Sequence, residues 1–432
     1  MEEVNNINVH NINSVCLTTN EFRDYILDNS YNENMFNPDG SLNANYNSFK
    51  KTGLISEIFE DHWDEYYILN KDKVDKYRPN ANTEINKIID CHNKNLGCSV
   101  YECPNCHDFT FVGHTCKSRL CTSCGYKYKL IRVNNILNHA YNCPHRQIVF
   151  TIPEELRCYF FFPFSKMMDI LFKAVEETIY SILNETYRSK KNKRKKKKYS
   201  NKTEYTPGFF MFLHTFGRDL KWNPHIHVLI AEIKIGGDMV YKNWNYFNYD
   251  ALSKRFQKIL LDLLSKELEL SFNKVKRDSF NNHKNGFYVY AEPKKFKNFK
   301  DGVEYVTRYC GRPAISENRI LNYDGENVTF CYNAHEDESY HEVTCTAHEF
   351  INMLLRHLIP YNYRTIRYCG FYRKKHENHD KMIMMINPVH HTVRKQILGH
   401  RLSVLRYFNR DPYSCPKCKT VMKYACEIIG GG

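Results

Sequence analysis

The sequence predicts an α+β protein built around an antiparallel sheet flanked by helices. Two apolar runs at 208–216 and 225–233 enclose a polar turn at 217–221, which is the pattern of an antiparallel hairpin. Long segments of helical periodicity interrupt the strands, as in an α+β domain rather than a sandwich or a bundle. Cysteine clusters before and after this region predict a zinc-binding module in front of the sheet and a small zinc-knuckle region behind it.

Length and composition set the class of the protein. The chain has 432 residues, of which 42% are hydrophobic, enough for two to four domains with buried cores. Its 62 Lys and Arg exceed 48 Asp and Glu to give a net charge of +14. An excess of this kind favours a polyanionic partner, above all nucleic acid. The simpler alternative is that the charge only aids solubility.

The cysteine content points to metal rather than to disulfides. No apolar run approaches the ~20 residues of a membrane span, and the first residues, Met1–Asn5, are polar and acidic. We therefore expect a cytoplasmic protein without a membrane partner, in which disulfides are rare. The odd count of 17 cysteines also disfavours a complete disulfide framework.

The chain divides into four predicted regions. Residues 1–85 form a helical region, 86–135 a cysteine-rich module, 140–320 the α+β domain, and 321–432 a C-terminal region that ends on a cysteine pair. Periodicity and punctuation place the elements of the third region. These are a strand at 146–153, a helix at 164–183, a solvated basic loop at 190–198, a helix at 246–270, a strand at 286–291 and a helix at 302–310.

Two Cys-x-x-Cys pairs in the second region have the spacing of a structural zinc site. They are Cys103 with Cys106 and Cys121 with Cys124, and Cys116 lies between them. Four thiolates close a tetrahedron and leave no open position, so we expect a structural role. The alternatives are redox-active or simply buried thiols. Other nearby residues could substitute as ligands or form a second site: Cys91, Cys98, His107, His114 and Cys116 itself.

A third pair near the end of the chain supplies half of another zinc site. Cys415 and Cys418 repeat the Cys-x-x-Cys spacing, and Cys426 is a candidate third ligand. Chance predicts about one such pair in a chain of this composition, whereas three occur. A free thiol pair is the alternative at this end.

Two histidines stand at the start of the second strand of the hairpin. His225 and His227 are separated by one residue, so on a strand both imidazoles point to the same face. They form half of a metal site. Because chance also supplies about one His-x-His pair, two half-exposed strand histidines are the alternative. Asp219 and Glu304 are candidates for a third ligand, against the simpler interpretation of solvated carboxylates.

Two tyrosines downstream share one face of a predicted helix. Tyr305 and Tyr309 stand at positions i and i+4, which are neighbours on a helix surface. With 32 tyrosines, about two such pairs arise by chance, so alone they would be assigned to a core.

In combination these motifs resemble the HUH endonucleases, and among them the two-tyrosine rolling-circle transposases of bacterial insertion sequences. Further segments follow in the order of that family, over residues 85–420. They are the cysteine-rich region with Ser118–Cys121, the strand Val149–Pro153, the turn Thr215–Leu220, Arg312–Ser316 after the tyrosines, Arg356–Pro360, Ile366–Gly370 and the terminal Cys415–Cys418. The second knuckle lacks the usual proline, and Asn223 stands where many relatives have a further histidine.

The resemblance implies an HUH-type sheet and a single-strand DNA endonuclease and strand transferase. Tyr305 and Tyr309 would be the nucleophiles of a 5′-phosphotyrosine intermediate, and His225 with His227 would hold Mg²⁺ or Mn²⁺. Two tyrosines allow two successive cleavages, so that a strand passes from donor to target without ATP. A plasmid replication initiator or relaxase is one alternative. A non-catalytic, zinc-dependent nucleic-acid-binding protein is another.

The expected partner is single-stranded DNA at the ends of the element and at its target, bound by a nucleoid-associated protein. Lys117, Arg119, Arg308 and Arg312 are the assigned DNA contacts, and a homodimer is left open. Basic and aromatic residues of the cysteine-rich module suit backbone contact and base stacking, although zinc could serve stability alone. They include Tyr101, Phe109, Tyr126, Lys127, Tyr128 and Lys129. The basic loop 190–198 would contact phosphates without sequence preference.

Overall fold

The computed structural model describes residues 16–17, 53–125, 132, 135–136, 139–141, 143–188, 205–236, 241–244, 247–290, 313–334, 337–373, 411 and 413–429. No helix in these ranges is both long and apolar enough to cross a membrane. The chain forms two compact units. The first combines residues 1–63, 82–124 and 399–432, and the second combines 64–81 and 125–398. The four-region division made from sequence stays a prediction beside them.

The first unit is organised around a four-stranded sheet. Its strands are β1 (Cys16–Leu17), β2 (Gly97–Glu102), β3 (Phe109–Gly113) and β13 (Lys423–Ile429), in the order β1-β13-β2-β3. Residues close to the C-terminus therefore lie between strands from the first quarter of the chain, with β13 antiparallel to β2. Helix α2 (Ala81–Ile89) and the first part of α1 (Gly53–Tyr77) belong to this unit, where the Ser56 hydroxyl donates to the Ile88 carbonyl.

The second unit contains the antiparallel sheet that the sequence predicts. Its main order is β12-β5-β6-β4-β8, and β7 pairs with β6 at the side. The bounds are β4 (His145–Thr151), β5 (Tyr205–Phe216), β6 (Trp222–Gly236), β7 (Tyr241–Asn243), β8 (Val289–Tyr290) and β12 (Ile366–Gly370). The long β5–β6 hairpin is the centre of this sheet.

Two long helices cover one face of this sheet. They are α3 (Phe164–Arg188) and α4 (Tyr249–Leu268), and α5 (Asn273–Asn282) follows after a short 3₁₀ turn. Alternate residues of the central strands, such as Met211, Ile226 and Val228, pack against the apolar stripes of the two helices in one buried cluster. The period-2 pattern of the strands thus meets the period-3.6 pattern of the helices, which is the burial that an α+β layer requires.

The opposite face carries a second, smaller core and the histidines. In the hairpin His227 lies opposite Phe212 and His225 lies opposite His214. Directly opposed residues of an antiparallel pair share a face. Phe210, Phe212 and Leu229 are buried farther along that face, so the histidines occupy the end of it next to the turn.

A three-stranded sheet and a final helix complete the second unit. The strands are β9 (Ile320–Tyr323), β10 (Asn327–Asn333) and β11 (Tyr340–Thr346), in the order β11-β10-β9. Helix α6 (Ala347–Leu355) follows β11 directly. Thr346 and Glu349 form a capping box at its start, which satisfies two amide groups that the first turn leaves free.

The elements predicted around the hairpin are confirmed. The strand at 146–153, the helix at 164–183, both hairpin strands and the helix at 246–270 correspond to β4, α3, β5, β6 and α4. The predicted strand at 286–291 is observed as the short β8. The predicted helix at 302–310 and the basic loop at 190–198 lie outside the described residues.

Candidate active site and zinc centres

Three imidazoles converge at the turn end of the β5–β6 hairpin. His214 lies near the end of β5, and His225 and His227 lie near the start of β6. One ring nitrogen from each lies within 4.8 Å of the others. The Nε2 atoms of His225 and His227 are 3.1 Å apart. The His214 ring centre lies 4.6 Å from that of His227. Three nitrogen donors on one patch form one face of a metal coordination sphere, and the remaining positions would be left to other ligands.

Burial keeps at least one of these rings neutral. His214 and His227 are 7% and 6% exposed, and His225 is half-buried. Removal from water holds the pKa of His227 well below 6.5, and the neighbouring His214 and His225 lower it further. A neutral imidazole keeps the lone pair that a metal ion needs. The cluster thus presents donors at neutral pH rather than three repelling cations.

Hydrogen bonds orient two of the rings. The Nδ1 of His225 lies 2.7 Å from the Asn223 carbonyl oxygen, which can only accept. His225 therefore carries its proton on Nδ1 and turns an unprotonated Nε2 toward the cluster.

Gln147 of β4 forms a hydrogen bond with the His227 ring. Its amide nitrogen is placed 2.8 Å from the Nδ1 of His227, while its buried Oε1 has no hydrogen-bond partner. The two ends of a glutamine amide have the same shape, so their assignment follows from the hydrogen bonds rather than from the geometry. With Oε1 turned to Nδ1, the ring would donate there and leave Nε2 free, as metal-binding histidines do.

The predicted carboxylate ligand lies elsewhere. The Oδ1 of Asp219 accepts from the Lys221 amide at 3.1 Å, and Oδ2 lies 3.4 Å from the Lys221 ammonium. Asp219 thus closes the hairpin turn, and Gly217 makes room for it because a Cβ there would lie 2.6 Å from Oδ1. Among the described residues His214, not Asp219, stands beside the histidine pair. The expectation for Asp219 is corrected in this respect.

A further buried histidine, His357, fixes the turn from outside the strands. The Nε2 of His357 lies 2.9 Å from the Leu220 carbonyl, and its Nδ1 lies 3.2 Å from the Thr215 hydroxyl. Leu220 has a positive φ of 61°, a conformation that non-glycine residues rarely adopt. The segment Arg356–Pro360 singled out in the sequence therefore supports the turn on which the imidazole cluster depends.

Several predicted site residues lie outside the described residues. They are the tyrosines Tyr305 and Tyr309, the candidate ligand Glu304, and the candidate DNA contacts Arg308 and Arg312. Their roles remain predictions.

The cysteines of the first unit form two groups of four. One group joins Cys103 and Cys106 to Cys415 and Cys418. The sulfur atoms of Cys103 and Cys418 are 3.3 Å apart, and the Cys106 sulfur lies 3.6 Å from those of Cys415 and Cys418. Four sulfurs that each lie about 2.3 Å from one zinc ion are about 3.8 Å apart. The spacing therefore fits a tetrahedral, closed site that ties residues 309 positions apart in the chain.

The second group consists of Cys91, Cys116, Cys121 and Cys124. All four are buried, and the recorded separations are 3.5 to 3.8 Å. Hydrogen bonds from the thiols of Cys116, Cys121 and Cys91 hold the pKa of Cys124 far below its usual range. A thiolate shared among thiols at this spacing is the state from which zinc binding begins.

The structure groups the cysteines differently from the single site that the spacing of the Cys103 and Cys121 pairs would form, and it contains the second site that the sequence left open. The Cys103 and Cys121 pairs do not share a site; each completes its tetrahedron with other cysteines. Nor is Cys426 the third ligand at the C-terminal end. Its side chain is 5% exposed within β13, and burial raises the pKa of its thiol to about 11.

The remaining candidates around the zinc clusters have other partners. His107 contacts Glu102, and His114 lies between the Leu96 carbonyl and Glu427. Cys98 is buried in β2, where its pKa rises to about 12. Lys117 is exposed and Arg119 half-buried beside the second cysteine group. Their contact with DNA stays a prediction.

Comparisons with known proteins agree with this arrangement. The family model described as "Transposase zinc-binding domain" matches residues 58–152, and the one described as "Putative transposase" matches 208–380. The first range contains six of the eight clustered cysteines, and the second contains the three histidines. A zinc-binding domain with two tetrahedral cysteine groups supports structural zinc.

Two relatives extend the match over most of the chain. The transposase for insertion sequence element IS801 of Pseudomonas savastanoi pv. phaseolicola is 26% identical, across 80% of this chain and 83% of its own length. The putative transposase y4qJ of Sinorhizobium fredii is 23% identical, across 79% of this chain and 87% of its own length. No solved structure matches. The chain belongs to the insertion-sequence transposases that combine this zinc-binding domain with this transposase domain.

Proposed function

We propose that this transposase cleaves and rejoins single-stranded DNA through a covalent 5′-phosphotyrosine intermediate, in rolling-circle transposition of its insertion sequence. The observation that carries the proposal is the cluster of His214, His225 and His227, a set of metal donors at one end of the sheet. It lies in the part of the chain that matches the transposase family model. A nucleoid-associated location in the cytoplasm goes with such a substrate.

The donor set fits a divalent ion with open positions. The three histidines would hold it, and its charge would polarise a phosphodiester, which is the chemistry it supplies when bound. Imidazole suits transition metals better than it suits Mg²⁺. Of the two ions expected from the sequence, Mn²⁺ is therefore the better fit.

Tyr305 and Tyr309 are the proposed nucleophiles. The hydroxyl oxygen of one tyrosine bonds to phosphorus as the bond from phosphorus to the 3′ oxygen breaks. The tyrosine loses its proton, and the 3′ oxygen leaves as a hydroxyl after taking one up. Reversal by a 3′-hydroxyl of another strand restores the phosphodiester and frees the tyrosine. The second tyrosine allows a second cleavage before the first link is resolved.

Covalent capture tests this reaction. The protein is incubated with single-stranded oligonucleotides from the ends of the element and Mn²⁺, and the products are separated on a denaturing gel. We expect an adduct with the parent protein and none with the Tyr305→Phe/Tyr309→Phe double variant. Tyr288→Phe is the matched control because Tyr288 is 58% exposed on the same domain.

The gel also separates the alternatives. No adduct with any divalent ion would contradict the enzymatic proposal and leave a zinc-dependent DNA-binding protein. Adduct formation that does not require the element's ends would point to a replication initiator or relaxase.

A further inference from the structure

A cationic and aromatic cavity opens in the second unit beside the start of β6. Its volume is about 440 Å³, within the range of ligand pockets. The end of α1, the segment after the 3₁₀ turn Glu154–Phe160, the first residue of β6 and the end of α6 surround it. It is separate from the imidazole cluster, whose three residues are absent from its lining.

The lining is positively charged. Lys73, Arg78 and Arg356 contribute cations, and no lining residue is acidic. Lys73 is exposed and Arg356 half-buried, and within the described ranges neither forms an ion pair. Arg78 is only 3% exposed, and its hydrogen bonds run to the carbonyl oxygens of Tyr77, Leu355 and Arg356. Carbonyl oxygens carry no net charge, so the positive charge of Arg78 remains uncompensated and gives the cavity a field that favours an anion.

Aromatic rings supply the other half of the lining. Tyr77, Phe161 and Trp222 line the cavity and are all partly exposed. Tyr77 and Phe161 lie 5.6 Å apart, and the Arg78 guanidinium sits 4.5 Å from the Phe161 ring centre. Aromatic faces beside cations are the combination that binds unpaired bases through stacking and phosphates through charge. A duplex, whose bases are already stacked, cannot use the rings in this way.

From this combination we infer that the cavity binds one unpaired nucleotide of single-stranded DNA, with its base against Tyr77, Phe161 or Trp222 and its phosphate at Lys73 and Arg356. The inference rests on the proposed function and names a second DNA contact for it. Trp222 precedes His225 by three residues on β6, about 10 Å of extended strand. Their side chains point to opposite faces of the sheet, so the bound DNA strand would pass around the turn end of the hairpin.

Binding without cleavage tests the inference. Oligo(dT) of eight nucleotides is titrated into the zinc-loaded protein without added Mg²⁺ or Mn²⁺, while tryptophan fluorescence is followed. Trp63 and Trp244 are buried, whereas Trp222 is half-buried on the cavity wall. We expect quenching in the parent protein, its loss in Trp222→Phe, and at least about fivefold weaker binding in Tyr77→Ala, the low end of the effect of one stacked base.

A charge variant gives an independent readout. Lys73→Gln/Arg356→Gln should flatten the slope of log affinity against log salt by about 0.7, the contribution of one phosphate contact on a single strand. The control is Lys173→Gln/Lys258→Gln, which removes two side chains that are 62% and 69% exposed elsewhere in the unit. Circular dichroism verifies that each variant is folded.

Two results would overturn the inference. One is unchanged affinity and salt slope in both cavity variants. The other is a blunt duplex that binds as tightly as oligo(dT) and depends equally on Tyr77. Failure of the proposed cleavage is distinguishable, because it would appear as the absence of adducts with the parent protein. Quenching by oligo(dT) needs neither the divalent ion nor tyrosine chemistry.

Discussion

His214 changes the interpretation of the histidine pair. Two imidazoles on β6 would bind a metal weakly, but the third comes from the strand directly opposite, at the register position of His225. All three donors thus belong to one hairpin, whose turn is fixed by His357 and Asp219. A site on paired strands is held more rigidly than one on loops.

Replacing His214 should weaken metal binding as much as replacing His225. We expect Mn²⁺ affinity, measured by isothermal titration calorimetry on zinc-loaded protein, to fall at least about tenfold in His214→Ala. His341→Ala is the control, because His341 is an exposed histidine of β11. Parental affinity in His214→Ala together with lost affinity in His225→Ala would exclude His214 as a ligand.

Gln147 should act through His227 rather than on DNA. Gln147→Leu removes the hydrogen bond to Nδ1 and is expected to lower metal affinity about 10- to 100-fold, as loss of a ligand's outer partner does. Gln147→Glu keeps an oxygen acceptor and should restore most of it. Equal loss in both variants would mean that Gln147 only fills space.

These residues show what the sequence could predict of the site. The proximity of His225 and His227 is predictable because their spacing is local and strands have a period of two. His214 was missed because its place depends on hairpin register, and the pairing shifts between His214 and Phe216. Counting residues outward from the turn at Gly217 along both predicted strands would have placed His214 close to His225. Gln147 gave no signal, since its contact with His227 joins strands 80 residues apart.

The two halves of the first zinc group are built alike. In each, the fourth residue after the leading cysteine has a positive φ and donates to that cysteine's carbonyl: His107 to Cys103, and Lys419 to Cys415. The leading cysteine amide donates to the residue five positions on, Asp108 or Thr420. The same backbone turn thus occurs at both Cys-x-x-Cys pairs, and the two turns face each other across the site.

Zinc counting in paired variants tests this grouping. The parent should bind two zinc ions, measured by a chromogenic chelator after protein denaturation. Cys103→Ser/Cys415→Ser should lose one, since both ligands serve the same ion, whereas Cys103→Ser/Cys121→Ser should lose both.

Cys158→Ser is the control, because Cys158 is exposed and outside both groups. The grouping would be wrong if the Cys103/Cys121 variant kept one ion while the Cys103/Cys415 variant kept none.

Elements with a local pattern were predictable, and their long-range partners were not. The hairpin and both covering helices follow from hydrophobic periodicity. The Cys-Pro-x-Cys pattern at Cys103 and Cys415 differs from Cys-Thr-Ser-Cys at Cys121, and this difference was the available clue to the pairing. Spacing along the chain instead favours joining the Cys103 and Cys121 pairs in one site. It contains no information on the return of β13 to a place between β1 and β2.

The stability of the second unit depends in part on a buried histidine that is kept neutral. His145, at the start of β4, is 4% exposed and lies 2.7 Å from the Tyr372 hydroxyl. Burial lowers its pKa to about 4. A histidine of this kind must stay unprotonated for the sheet to remain packed.

Acid should therefore destabilise the second unit. Below pH 6.5 His145 is protonated in the unfolded chain but stays neutral in the folded one. The free energy of unfolding therefore falls as the pH drops from about 6.5 to 4. At pH 5 the loss from this group is about 2 kcal/mol. Urea denaturation followed by fluorescence should show this loss of stability. In His145→Gln the free energy of unfolding should depend less steeply on pH. An identical pH dependence in that variant would refute the assignment.

The most direct test of a covalent tyrosine mechanism is to identify the residue that carries the DNA. Adducts formed with Mn²⁺ and single-stranded ends are digested with nuclease and trypsin, and the modified peptide is sequenced by mass spectrometry. We predict a nucleotide on Tyr305 or Tyr309, and no modified peptide from the His214→Ala protein. A nucleotide on any other residue, or adducts at the parental level without His214, would contradict the account.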